Sequence, residues 1–282
     1  MYLKNAHINI TKHSGETVRF DILKLQQSLI NSGASERTAS HIAEQVSEEL
    51  YDGISTHRIY THAHKLLKKH EKNKAARYGL KKSILQLGPT GYPFESFVGE
   101  LMKHEGFQTE IGNVMPGKCV QHEVDVLAYN DHEVHMMECK FHNRLGYKTD
   151  VKVPMYIKSR FEDLVSTWKD DHRFRNKRFQ GWVVTNARFT KDAIDFARCS
   201  GLNMISWDYP NGHSLKELIT KYSLFPITTL TKLSKMNREI LLDAGVTLAK
   251  TLCETPNKLK EYGIEESKLA KIIEEAEMVC DL

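Results

Sequence analysis

The chain has 282 residues, 40% hydrophobic and 27% charged, with a formal net charge of +4. Such proportions are those of a soluble globular protein with room for two or three domains. No apolar run approaches the ~20 residues of a membrane helix, the N-terminus does not read as a signal peptide, and five scattered cysteines without a CxxC pair suggest neither a zinc ribbon nor a disulfide framework. A reduced, cytoplasmic setting without a membrane partner is expected. The mild positive charge permits nucleic-acid binding without demanding it.

In chain order, residues 8–13 and 16–20 read as two short strands around a turn at Ser14-Gly15. Asp21 is placed to cap a helix carrying Ile22, Leu25 and Leu29 and stopped by Gly33. Ser35 begins a second helix with Ala39, Ile42, Val46 and Leu50 inward. Thr56 is expected to cap a third, with Ile59, Ala63 and Leu66, and a fourth is expected over residues 74–87. His62 and His64 lie two apart on a helix and read as surface histidines rather than a metal pair.

These residues resemble the ATP-cone domain of ribonucleotide reductases and their repressor. The stretches that carry the likeness are ITKHSGETVRFDILKL, IAEQVSEELYDGIST and KAARYGLKKSI, within residues 4–86. The resemblance implies a regulatory ATP or dATP site. The matching positions are Lys12, His13 (where arginine is usual), Lys24, Thr56 and Tyr60 (where histidine is common). Lysines there would neutralise phosphate charge, and a helix N-terminus would offer free amides.

Gly88-Pro89-Thr90-Gly91-Tyr92-Pro93 is a linker signal, and a helix carrying Phe94, Phe97, Val98 and Leu101 follows it, with Glu95 near its start. A strand is expected near residues 109–114. The next stretch, HEVDVLAYNDHEVHMMECKF from His122 to Phe141, reads as a hairpin turning at residues 129–132. Asp125 is the odd acid in the first strand, and Glu138 and Lys140 interrupt the second. Residues two apart on a strand share a face roughly 7 Å apart, so Glu138 and Lys140 point together and a hairpin register can add Asp125. From residues alone this is either a partly exposed salt bridge or a divalent-metal site, since acid-x-lysine also occurs at Asp150-Lys152 and Glu266-Lys268. A helix over residues 153–168, then strand, helix and strand over GWVVTN, FTKDAIDFARCSG and LNMISWD, make a parallel β-α-β unit.

The order of helix, acid strand, ExK strand and β-α-β resembles the Mrr-like branch of the restriction-endonuclease fold over residues 92–224. That likeness implies Mg²⁺ on Asp125 and Glu138, an essential Lys140, and Glu95 assisting with metal or water. Its implied partner is DNA. Arg173, Arg175, Lys177 and Arg178, interleaved with Phe174 and Phe179, could neutralise backbone phosphates or form a solvated loop; Arg144, Lys148 and Lys152 make a second patch. His122 could touch a phosphate or stand solvated at the strand end.

Beyond Pro226 two helical hairpins resemble helix-hairpin-helix repeats, with Gly245-Val246 and Gly263-Ile264 in the expected places but Ser234-Lys235-Met236 where glycines are expected. The fold expectation is multidomain α+β and α/β: a helical ATP-cone bundle with a small sheet over 1–88, a restriction-endonuclease-like α/β core over 89–225, and C-terminal helical hairpins over 226–282. The expected function is a nucleotide-regulated, Mg²⁺-dependent DNA endonuclease, of a kind used in restriction or anti-phage defence and working as a homo-oligomer. The alternatives are a nucleotide-responsive DNA-binding regulator with an inactive nuclease fold, and a branched-DNA resolving nuclease.

Overall fold

A computed structural model of the protein describes residues 8–12, 15–256 and 258–280. The N-terminal unit opens with β1 (Asn9–Thr11) and β2 (Thr17–Arg19), followed by α1 (Ile22–Ile30), α2 (Glu36–Glu48), β3 (Ile54–Ser55) and α3 (Thr56–His70). The short hairpin β1–β2 gains a third strand that sequence periodicity missed. β3 pairs parallel with β1, Ile10 opposite Ile54. At two residues it is too short to show alternation. Asp21 caps α1 by accepting from the Leu23 and Lys24 amides at 3.0 and 3.3 Å, and Ser35 caps α2. The cap of α3 is Ser55, which accepts from the Arg58 amide at 3.3 Å, so Thr56 is the first helical residue rather than the cap. Leu25, Leu29, Ala39, Ile42, Val46, Ile59, Ala63 and Leu67 close one core.

The single helix expected over 74–87 is two, α4 (Lys72–Tyr78) and α5 (Leu80–Leu85). They join at Gly79, whose amide ends α4 on the Ala75 carbonyl, and glycine is a poor residue for continuing a helix. His64 is not a surface histidine. It is half-buried and its ring lies near-parallel to Tyr60 and Tyr78.

The central unit contains α6 (Tyr92–His104), β4 (Gln108–Pro116), β5 (Gln121–Tyr129), β6 (Glu133–Lys140), β7 (Lys148–Thr149), α7 (Lys152–Trp168), β8 (Arg178–Thr185), β9 (Arg188–Phe189), α8 (Lys191–Ser200), β10 (Asn203–Ile205) and α9 (Leu215–Lys221). One mixed five-stranded sheet, ordered β10-β8-β6-β5-β4, forms its middle layer. β4, β5 and β6 are antiparallel neighbours, whereas β6, β8 and β10 run parallel, as expected of the β-α-β unit.

The sheet is covered on both faces. Val126, Ala128, Met137 and Cys139 pack with Phe94, Phe97 and Val98 of α6. Leu127, Val134 and Met136 pack with Ile157, Phe161 and Leu164 of α7 and with Ala193 and Ala197 of α8. A Cβ at Gly181 of β8 would stand 2.6 Å from Leu202 and 3.0 Å from the Phe161 ring, so only glycine lets α7 press onto that strand.

A 3₁₀ turn at Ile227–Thr229 leads to α10 (Lys235–Asp243), α11 (Ala249–Glu254), α12 (Lys258–Glu261) and α13 (Glu266–Cys280). Leu241, Leu252, Leu269 and Ile272 join the same cluster as α5 and α6, so the C-terminal helices share a core with the sheet. Among the described residues no helix is long and apolar enough to cross a membrane.

Candidate active site

The β5–β6 ladder is paired from Tyr129–Val134 to Val126–Met137 and stops there. One step further the strands separate, and Asp125 replaces the ladder bond: its carboxylate accepts from the Cys139 amide at 2.7 Å. β6 keeps its pairing on the other side, Glu138 against Val183 and Lys140 against Thr185. Thr185 Oγ1 also donates to the Lys140 carbonyl at 2.6 Å. The strand is thus held straight while its Asp125 side is open. By alternation Glu138 and Lys140 continue the Met136 face, under α7.

Glu95 enters from the first turn of α6. It folds back over Gly91, where a Cβ would stand 2.8 Å from Oε1, so any side chain at 91 would displace that carboxylate. Burial, and then the negative charges of Asp125, Glu123 and Glu138, push the Glu95 carboxyl up to about 7. Burial raises Asp125 against the opposing effects of the Cys139 amide and the Arg160 guanidinium. Burial and then Asp125 raise Glu138 against Arg160 and Lys140. The structure therefore draws together all four expected residues, Glu95, Asp125, Glu138 and exposed Lys140.

Arg160 of α7 is the group that sequence reading missed. It is 9% exposed. Nη1 donates to Glu138 Oε2 at 2.6 Å and Nη2 donates to the Glu123 carbonyl, while buried Nε has no partner among the described residues. The available signal was a charged residue at 160 among the apolar positions 157, 161 and 164 of a helix.

Among the described residues no three His, Cys, Asp or Glu side chains form a ready metal cage. The donor set nonetheless fits a hard divalent cation. Burial, and then the negative charges beside them, raises the Glu95, Asp125 and Glu138 carboxyls at one opening, a repulsion that such a cation relieves. Asp125 and Glu138 are the residues that would hold it.

A cavity of about 480 Å³ opens beside Lys140, lined by Gly91, His142, Arg144 and Tyr147. A second, of about 190 Å³, shares the last three and adds Lys81, Lys148 and Arg188. Asn186 pins the intervening loop, accepting from the His142 amide at 2.8 Å and donating to its carbonyl at 2.7 Å. His142 stacks on Tyr147 at 5.5 Å. The basic patch near the acids is thus the one that follows β6. The run from Arg173 to Arg178 lies at the other end: Glu133, seven residues and about 23 Å up the strand from Lys140, pairs with Arg178. There Arg173 is held by Asp171 at 3.0 Å, and Phe174 is core. His122 neither points to the acids nor stands solvated; it meets Asp163 at 2.8 Å, a carboxylate held down to about 2 chiefly by that bond.

In the N-terminal unit the β1–β3 register, Thr11 opposite Ser55, puts Lys12 and Thr56 at neighbouring strand ends. Lys12 pairs with Glu16 at 3.0 Å and Lys24 with Asp21 at 3.7 Å. Thr56 starts α3, and His13 lies outside the described residues. Tyr60 is half-buried, donating its hydroxyl to the Tyr78 carbonyl at 3.1 Å.

Comparison with known proteins places the central and C-terminal parts. Residues 88–211 match the family described as Restriction endonuclease (Mrr_cat), and residues 225–280 match AF1548-like, C-terminal. An uncharacterized protein of Archaeoglobus fulgidus is 33% identical over 183 residues, covering 64% of this chain and 99% of that protein. The crystal structure of AF1548, a protein of unknown function, aligns with a TM-score of 0.57 at 31% identity over 68% of this chain and 99% of its own. The two family matches cover residues 88–211 and 225–280, so neither includes the segment resembling an ATP cone. With its Mrr-type restriction-endonuclease domain followed by the AF1548-like C-terminal domain, the chain belongs to the AF1548-like family.

Proposed function

We propose that the protein is a divalent-metal-dependent DNA endonuclease. The observation that carries this reading is the convergence of Glu95, Asp125, Glu138 and Lys140 where β5 and β6 part, inside a domain of restriction-endonuclease type. A cation held by Asp125 and Glu138 would supply Lewis acidity toward a phosphodiester oxygen and acidify a water. Lys140, exposed and beside both acids, provides positive charge for the phosphorane-like transition state. Glu95, with its carboxyl near 7, can take a proton from the attacking water at neutral pH. Arg144, Lys148 and Lys81 bind flanking phosphates. The test is cleavage of plasmid DNA with Mg²⁺ or Mn²⁺. A protein that binds DNA but cuts none with either metal is instead a DNA-binding regulator, the reading favoured by the Arg160 guanidinium on Glu138.

The three segments 1–88, 89–225 and 226–282 serve in this reading as sensor, nuclease and docking units. The N-terminal helices with their small sheet support an ATP-cone-like module, its nucleotide cradle built on Lys12, Lys24 and Thr56 with His13 nearby in sequence. Each chain carries one acid cluster, so cutting both strands of DNA calls for a homodimer. Activity that ignores ATP and dATP, and that Lys12→Ala leaves unaltered, would remove the sensor from the proposal.

Two further results are expected. In metal-free protein, a carboxyl raised from 4.5 to about 7 leaves folded Glu95 holding a proton that the unfolded chain has released. Stability therefore falls as pH rises through that window, by on the order of 1 kcal/mol after solvent screening. Glu95→Gln should flatten the fall in melting temperature between those pH values, and an unchanged slope would take Glu95 out of the acid cluster. Arg144→Ala should weaken DNA binding and make its salt dependence shallower by about one ion, whereas Arg175→Ala should leave both unchanged. The opposite ranking would move the DNA path to the Arg173–Arg178 end of the sheet.

A further inference from the structure

A cavity of about 630 Å³ lies away from the acids, between the N-terminal helices and the C-terminal unit. Tyr60, His64 and Lys68 of α3 and Lys82 of α5 face Arg238 of α10 and Lys271 of α13 across it. Its volume is that of a small-molecule site. Lys232 is a fifth cation, against two acids, Glu274 and Glu275. Glu275 is already engaged, accepting from the Thr231 amide and hydroxyl at 3.0 and 2.6 Å and from the Lys232 amide at 2.8 Å. Lys68 donates to Thr231 Oγ1 at 3.1 Å. Among the described residues Arg238 reaches only long bonds, to the Leu230 carbonyl at 3.4 Å and Gln86 at 3.5 Å, and its buried Nε has no partner there. Among the described residues, Lys82 and Lys271 form no ion pair.

The other wall is flat and aromatic. Tyr60 stacks on Tyr78 at 4.9 Å and 13°, and His64 lies near-parallel to both, at 24° and 23°. Burial, then Lys68, hold the His64 imidazole below its ordinary value, so the ring is neutral at pH 7 and adds apolar face rather than charge. Clustered cations beside a flat ring surface match one ligand chemistry, a polyphosphate carrying an aromatic base.

We propose that this cavity binds a nucleoside polyphosphate, its phosphates among Lys68, Lys82, Arg238 and Lys271 and its base along Tyr60 and His64. Of the ATP-cone positions Tyr60 lines it while Lys12, Lys24 and Thr56 do not, so its cationic seat is separate from those lysines and independent of the nuclease reading. A ligand here touches α3, α5, α10 and α13 together, so its binding energy favours the docked arrangement of the N- and C-terminal units.

The test is calorimetric titration of the full chain with ATP and with inorganic tripolyphosphate. Lys82→Glu/Lys271→Glu should weaken ATP at least about tenfold with melting temperature retained, while Arg175→Ala, at an exposed residue away from the cavity, should leave it within about twofold. Tripolyphosphate should bind at the same variants' expense but about tenfold more weakly than ATP, since it lacks the base. Should the charge reversal fail to fold, Lys82→Gln/Lys271→Gln should show a smaller loss in the same direction. Wild-type affinity in the charge-altered variants, or no ATP binding at all, would overturn the site. Equal affinity for the two ligands would overturn the nucleoside part.

Discussion

Lys140→Ala should lower Mg²⁺-dependent DNA cleavage by about 10²- to 10³-fold while leaving the fold intact, the loss expected when one preorganised charge is taken from a phosphoryl-transfer site. The fold survives because the strand does not depend on the side chain. Lys140 is exposed at the end of β6, its backbone is paired with Thr185, and its carbonyl accepts from the Thr185 hydroxyl. Asp125→Asn should lose at least as much, for two separable reasons. The amide is a poor ligand for a hard cation, and rotation of its NH₂ toward the Cys139 amide would break the bond that replaces the ladder at that step. Binding of Mn²⁺, measured by calorimetry without DNA, should therefore weaken in Asp125→Asn and stay near wild type in Lys140→Ala. Cleavage at the wild-type rate by Lys140→Ala would sink the assignment. Wild-type metal binding by both variants with both inactive would leave Asp125 outside the metal site and keep Lys140 in the chemistry.

What could be read from residues alone follows from which forces are local. β5 and β6 were legible because both faces of each are core, so each reads as an apolar run in which Asp125, Glu138 and Lys140 stand out as exceptions. The parallel β8-α8-β10 unit was legible because its two strands are apolar runs around an amphipathic helix. The opening of the β5–β6 ladder at Asp125 was not, since nothing in the pattern says where two paired strands part. Arg160 was hidden for a related reason: its partners, Glu138 and the Glu123 carbonyl, are 22 and 37 residues away. The role of the Arg173–Arg178 run stayed open because local charge density does not report which end of a sheet it occupies. Gly79 misled in the opposite direction, a single residue within a helical pattern that ends one helix and begins another.

Arg160→Met should be the most destabilising single change at the site, by about 3–5 kcal/mol in metal-free protein. For a unit of this size that is a fall of roughly 10 °C in melting temperature. The guanidinium lies under α7 with 10% of its side chain exposed, facing a Glu138 carboxylate 17% exposed, and both its Nη groups are bonded. Removing it leaves a buried carboxylate that Asp125 repels and the Glu123 carbonyl without its donor. Glu138→Gln/Arg160→Met should lose less than the two single changes added together, because the double variant buries no unpaired charge. The same geometry fixes the response to metal. Arg160 and a divalent cation compete for Glu138, so Arg160→Met should bind Mn²⁺ more tightly than wild type and regain part of its lost stability at millimolar Mg²⁺. A variant that melts as wild type would show that the pair does not carry Glu138. One that is destabilised yet gains no metal affinity would show that the cation approaches the acids without displacing the guanidinium, with Asp125 and Glu95 as its ligands instead.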